Sequence, residues 1–267
     1  MRFQIHLLVV AAALALGAPA AAAAAAAPPR PTVVLVHGAF ADSSSWDGVV
    51  AELRRDGYAV IAAANPLRSL AGDAEAVGSV LRTTPGPVVL VGHSYGGSVI
   101  SVAAAGAGNV KALVYVSAFA PDAGETSFGL AARFPGSTLG AALAPPVPLA
   151  GGQDLYIRQD RFPAQFAADV PRAKAELMAV AQRPITQAAG DEPARAAAWR
   201  TLPSWWIYGA SDRNIPPAAM AFMAKRAHAR NVVVVPGASH VVMVSHPHEV
   251  AGLIKTAAAA SQAEASR

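Results

Sequence analysis

Residues 92–96 read Gly92-His93-Ser94-Tyr95-Gly96, a G-x-S-x-G pentapeptide set between an all-apolar run at 88–91 and a small-residue stretch at 97–105 that reads as helix. A chain that passes from strand to helix through one residue makes a tight, strained turn, and only glycines on its flanks let strand and helix approach without Cβ clashes. The serine at such an elbow stands above the carboxyl edge of the sheet. Ser94 is therefore a candidate nucleophile, and the Tyr95 N–H, in the first helical turn, is expected to point at an oxyanion forming beside it. His93 fits as a packing residue of the elbow.

A serine hydroxyl is a weak nucleophile near neutral pH and needs a base, which in turn needs an acid to orient it. The apolar run 232–235 ends in Pro236-Gly237, and His240 follows in the loop before a helical stretch from Pro247. Two carboxylates compete for the acid's place. Asp212 lies just beyond the strand-like run 204–208, whereas Asp122 follows the strand-like run Val110–Val116, a position where some hydrolases carry their acid. The order Ser94, Asp212, His240 is the one expected of an α/β-hydrolase rather than of a chymotrypsin-type or subtilisin-type protease. Directly after the run Thr32–Val36 comes His37-Gly38-Ala39-Phe40. Its glycine lets the backbone swing under the elbow, so that the Ala39 N–H supplies a second oxyanion donor, worth about 3–4 kcal/mol in the transition state. The His37 ring is expected to hold this loop through nearby backbone rather than to transfer a proton.

Five motifs thus run in order: His37-Gly38-Ala39 with Trp46, Gly92-His93-Ser94-x-Gly96-Gly97, Ala118-Phe119-x-Pro121-Asp122, Asp212-x-x-Ile215-Pro216, and His240-x-x-Met243-x-Ser245-x-Pro247. Over residues 32–122 and 204–250 the chain resembles the α/β-hydrolase branch of plant methyl esterases and hydroxynitrile lyases with their bacterial esterase-like relatives. The resemblance implies that Asp212 is the acid, since it heads the family's matching Asp-x-x-Ile-Pro segment, and leaves Asp122 as a turn or cap-hinge residue. It also separates two chemistries. Plant lyases have a threonine at the position of Gly38 and a lysine directly after the histidine, where this chain has Val241, and an apolar residue cannot stabilise a leaving anion. Hydrolysis of a carboxylic ester through an acyl-enzyme is what the resemblance implies. The alternatives are hydroxynitrile lyase or C–C bond hydrolase chemistry on the same fold, or a catalytically inactive ligand-binding homologue.

Apolar, β-branched runs alternate with helical stretches at 46–55, 70–81, 95–105, 217–227 and 248–258, which predicts about six mostly parallel strands covered on both faces. The core of this α/β-hydrolase fold is expected over 28–122 and 204–267. Residues 123–203 break the alternation with Pro145-Pro146-x-Pro148, Gly151-Gly152 and helical stretches at 163–170 and 172–182. Roughly 80 residues are too many for a loop, so the segment is read as a helical cap over the active-site edge. Phe40 and Phe119, on loops at that edge, are the candidate substrate-pocket residues. Phe128, Phe134, Phe162, Phe166 and Met178 divide between cap packing and substrate contact, and Trp205 and Trp206 belong to the core.

The chain has 267 residues and no cysteine, so disulfides, thiolate metal sites and cysteine nucleophiles are excluded. Met1-Arg2, an apolar stretch at 7–16 and an alanine tract with several A-x-A sites read as a cleaved signal peptide over 1–27, which implies a secreted or periplasmic protein. Mean hydropathy is +0.35, a value inflated by alanine, and beyond the signal no apolar run reaches the ~20 residues of a spanning helix. The net charge of +4 is spread over dispersed arginines, with no basic run interleaved with aromatics, so nucleic acid is not an expected partner. No H-E-x-x-H accompanies His246-x-His248, no P-loop pattern occurs, and Gly106-x-Gly108 follows a helix instead of opening one; no metal or cofactor is expected. A covered, apolar pocket favours a small or medium ester with an apolar acyl or alkyl part as the small-molecule partner.

Overall fold

The computed structural model describes Met1, Gln4 and residues 30–265, so the signal peptide expected over 1–27 lies, but for those two positions, outside the described residues. The chain opens with β1 (Thr32–Val36), a single 3-10 turn at Ser43–Trp46 and α1 (Asp47–Arg55), followed by β2 (Val60–Ala63), α2 (Leu70–Thr83), β3 (Val88–His93), α3 (Tyr95–Ala103) and β4 (Val110–Val116). The 3-10 turn is capped by Asp42, whose carboxylate accepts from the Ser44 N–H. Next come α4 (Ser127–Ala132), α5 (Leu139–Ala142), β5 (Val147–Leu149), β6 (Gly152–Leu155), α6 (Phe162–Phe166), α7 (Arg172–Ala181), β7 (Ile185–Thr186) and α8 (Gln187–Asp191). The chain ends with β8 (Ser204–Gly209), α9 (Pro217–Arg226), β9 (Asn231–Val235), α10 (Val242–Ser245) and α11 (Pro247–Ala265).

Six strands form one parallel sheet in the order β2-β1-β3-β4-β8-β9. Strands buried on both faces need no alternation, which is why β3 and β8 are buried at every residue and read as continuous apolar runs. At the edges β2 and β9 are half exposed. The path from β1 to β2 runs one way along the sheet and the return to β3 runs the other. Right-handed crossovers in opposite directions put α1 and α2 on opposite faces, and α1 packs against α11 while α2 packs against α3. Where the direction reverses, the carboxyl ends of β1 and β3 lie side by side, and the crevice beyond such a switch point is where open parallel sheets bind ligands.

Between β4 and β8 the excursion is mixed, not purely helical. β5, β6 and β7 pair as a small antiparallel sheet, with Gly151 at φ 86° in the β5–β6 turn, so the Gly151-Gly152 pair marks a hairpin. Strands of two to four residues are too short to show a period, and α4, α5 and α8 are equally brief. The helix expected at 163–170 stops at Phe166, because Ala167 leaves helical geometry. The two ends of the excursion are clasped together. Arg200 grips Asp122 with two guanidinium nitrogens, Trp199 Nε1 donates to the Pro121 carbonyl at 2.9 Å, the Gly124 N–H donates to Ala194 O and the Ala194 N–H to Glu125 O.

Candidate active site

Ser94 is the one residue between β3 and α3, with φ 53° and ψ −125°. A non-glycine residue there costs about 1–3 kcal/mol and persists only where its surroundings over-determine it. They do so here: the Ser94 N–H donates to Val116 O at 3.2 Å, while its carbonyl accepts from Gly97 N at 2.9 Å and Phe119 N at 3.1 Å. Two glycines make the approach possible. A Cβ on Gly96 would meet Val36 O at 2.5 Å, and one on Gly38 would meet Ser94 Cβ at 2.6 Å and His93 O at 2.7 Å. The loop after β1 is therefore pressed directly on the elbow. Neither the Ala39 nor the Tyr95 amide donates to a backbone acceptor among the described residues, which leaves both N–H groups free at the switch point.

Asp212 follows β8 and His240 follows β9. The two are buried, with His240 Nδ1 2.7 Å from Asp212 Oδ2. Asp212 Oδ1 is occupied by the Asn214 N–H at 2.8 Å and the Ile215 N–H at 3.0 Å. Since a carboxylate only accepts, Nδ1 of His240 carries a proton, and in the neutral ring Nε2 is the nitrogen with the lone pair. Ser94 and His240 line one cavity of about 60 Å³, together with Ala39, Tyr95, Phe40 and Phe119. Phe128 and Phe166 also face it, from the excursion. Of the other excursion aromatics, Phe162 is fully buried against Phe166 and Phe134 packs on Phe222 of α9.

Asp122 stands apart from this cluster. Its carboxylate is held by Arg200, which lowers its pKa, and by the Ala123 N–H at 2.9 Å. Trp205 and Trp206 are buried, Trp206 stacked on Tyr115 with ring centroids 4.5 Å apart. His246 bonds Ser245 and His248 lies 3.5 Å from Glu52; among the described residues no three metal-ligating side chains converge.

The other two histidines of the site are structural by their bonds. His37 Nε2 accepts the Asn65 N–H at 3.0 Å, so its Nδ1 carries the proton and donates to Gly38 O at 3.0 Å. His93 Nε2 lies 3.2 Å from the His240 carbonyl, which accepts, and its ring packs 4.8 Å from that of His240. Burial lowers the pKa of His37 and takes that of His93 well below its usual value. Both stay neutral in the fold and charge more readily in the unfolded chain. Stability from the pair is complete above the unfolded value of 6.5 and is lost as pH falls toward the depressed folded values, by about 1.4 kcal/mol per pH unit for each histidine. The urea midpoint should therefore fall clearly between pH 7.5 and pH 5. Equal midpoints at the two pH values would refute it.

Several residues at the site escape sequence reading, Ser127 and Ser137 of the cavity wall among them. Asn214 lines the cavity and bonds Gln165 of α6, and its place two residues past Asp212 is the signal that could have found it. Asp169, just beyond α6, is bonded by the hydroxyl of Ser239, the neighbour of His240; nothing in the sequence links a residue of the excursion to that loop.

The comparisons with known proteins bear on this geometry. The model of the alpha/beta hydrolase family matches residues 33–253. The chain belongs to that family. An alpha/beta hydrolase of Aspergillus novofumigatus is 26% identical over 86% of this chain and 97% of its own length. A pyrethroid hydrolase from Sphingobium faniae is 25% identical, covering 86% of this chain and 98% of its own with a TM-score of 0.69. Polyneuridine aldehyde esterase shares the fold at 19% identity, with a TM-score of 0.74 over 85% of this chain and 99% of its own. The expected α/β-hydrolase fold, with a six-stranded parallel sheet, is thus shown, and named esterases stand among the alpha/beta hydrolases this chain is similar to.

Proposed function

We propose that the protein cleaves carboxylic esters as a serine hydrolase through an acyl-enzyme. One observation carries the reading: a buried histidine with Nδ1 fixed on a carboxylate whose other oxygen is already taken, sharing a cavity with a serine in a strained elbow. In this reading Ser94 attacks the ester carbonyl while His240 Nε2 accepts its proton, and Asp212 stabilises the imidazolium that forms. The Ala39 and Tyr95 amides hold the oxyanion. Collapse expels the alcohol, which takes the proton from His240, and water repeats the sequence to release the acid and restore Ser94. None of these steps calls for a metal or cofactor.

The lining supports apolar substrates. Phe40, Phe119, Phe128 and Phe166 surround the cavity, with Ser127, Ser137 and Asn214 as its polar points beside Ser94 and His240. Names of relatives point the same way, since one is an esterase and another hydrolyses pyrethroids. Val241, buried directly after His240, gives a leaving cyanide no cation and so favours hydrolysis over lyase chemistry. A fluorophosphonate should label the protein once per chain, on Ser94, and a chromogenic ester should compete. Absence of labelling on folded protein would reject the reading.

A further inference from the structure

Phe40 borders two cavities. Inward lies the cavity of about 60 Å³ that holds Ser94 and His240; outward lies a cleft of about 230 Å³ between the stretch 41–47 and α7, walled by Leu177, Met178, Ala181 and Val244. The backbone of Phe40 is pinned, with φ 59° and its N–H donating to Arg183 O at 2.8 Å. Only its side chain is left to move. The ring stands edge-on to Phe166, with centroids 6.1 Å apart. On the cleft, α7 exposes Leu177, 73% accessible, and one turn on it exposes a second large apolar side chain, Val180, 70% accessible.

Size makes the second chamber necessary. A cavity of about 60 Å³ admits roughly four to six water-sized groups, enough for a short acyl or alkoxy limb and too little for both limbs of a longer ester. The cleft is apolar at its base, and its rim carries Asp42 and Asp47 against Lys174, a balance that disfavours an anionic limb.

We propose that the outer cleft is a second subsite, taking the long, uncharged, apolar limb of the ester, and that the Phe40 side chain is the gate between it and the reacting carbonyl. The proposal rests on the ester-hydrolase reading and deepens it. Short limbs stay inside, while long limbs must displace the Phe40 ring and lie along α7.

The test measures kcat/KM for two series, p-nitrophenyl esters from acetate to dodecanoate and alkyl acetates from ethyl to decyl, and takes the long-to-short ratio in each. Ala181→Trp fills the cleft from an exposed position, and Leu177→Glu puts a charge at its mouth, also on the surface, so neither threatens folding. The ratio in one series should fall at least tenfold in Ala181→Trp and about three- to tenfold in Leu177→Glu, and should rise in Phe40→Ala. Ratios within twofold of wild type in both surface variants and both series would overturn the subsite. Wild-type protein that neither labels with fluorophosphonate nor cleaves any ester would instead sink the hydrolase reading, and the subsite with it.

Discussion

Ser94→Ala is expected to lower kcat by about 10⁴ to 10⁶ while leaving the fold intact. The loss is large because no other group on the cavity can begin the reaction: His240 alone activates only water, and the oxyanion donors then hold a charge that forms slowly. The fold survives because the strained turn is fixed through the backbone of Ser94, by Val116, Gly97 and Phe119, and alanine keeps all three bonds. Thermal unfolding should therefore shift by no more than a few degrees. Ester turnover above about a tenth of wild type would show that Ser94 is not the nucleophile.

The second large effect separates two aspartates. Asp212→Asn should reduce kcat by about 10⁴. The amide oxygen can still accept from Asn214 and Ile215, but the NH₂ group then faces His240 Nδ1 and forces that nitrogen to accept, moving the ring proton to Nε2. The histidine is left in the wrong tautomer to take a proton from serine. Asp122→Asn should change kcat less than about threefold, and loss of its solvent-screened pair with Arg200 should leave stability little changed. Reversed effects would move the acid to Asp122 and leave the hydrolase reading standing.

The main sheet is legible because burial on both faces writes itself as unbroken apolar runs; β4 is read at its observed limits, Val110–Val116. The elbow is legible because its geometry tolerates so few residues. Legibility fails where the cause is tertiary. The cap of the first turn is Asp42, whose carboxylate reaches the Ser44 N–H and hydroxyl at once, a choice among Asp42 and three serines that the sequence alone does not make. β7 is a strand only because β6 lies beside it. Asp169 touches the His240 loop through a fold-back of 70 residues, which no local pattern encodes.

The clasp at the base of the excursion has a consequence for chain statistics. Closing a loop of roughly 80 residues costs about 2.5 kcal/mol more than closing one of about 5, by the logarithmic growth of closure entropy. Here the crossing is shortened by Arg200 on Asp122, Trp199 on Pro121 and the backbone bonds of Ala194 with Gly124 and Glu125, so β4 and β8 meet across what is, in effect, a brief connection. The sheet does not register what is threaded beyond that knot. Because the cost of closing the clasp grows only as the logarithm of what it encloses, doubling the insert beyond it would add about 0.6 kcal/mol, and the crevice cover can change length with little strain on the register that holds Ser94, Asp212 and His240.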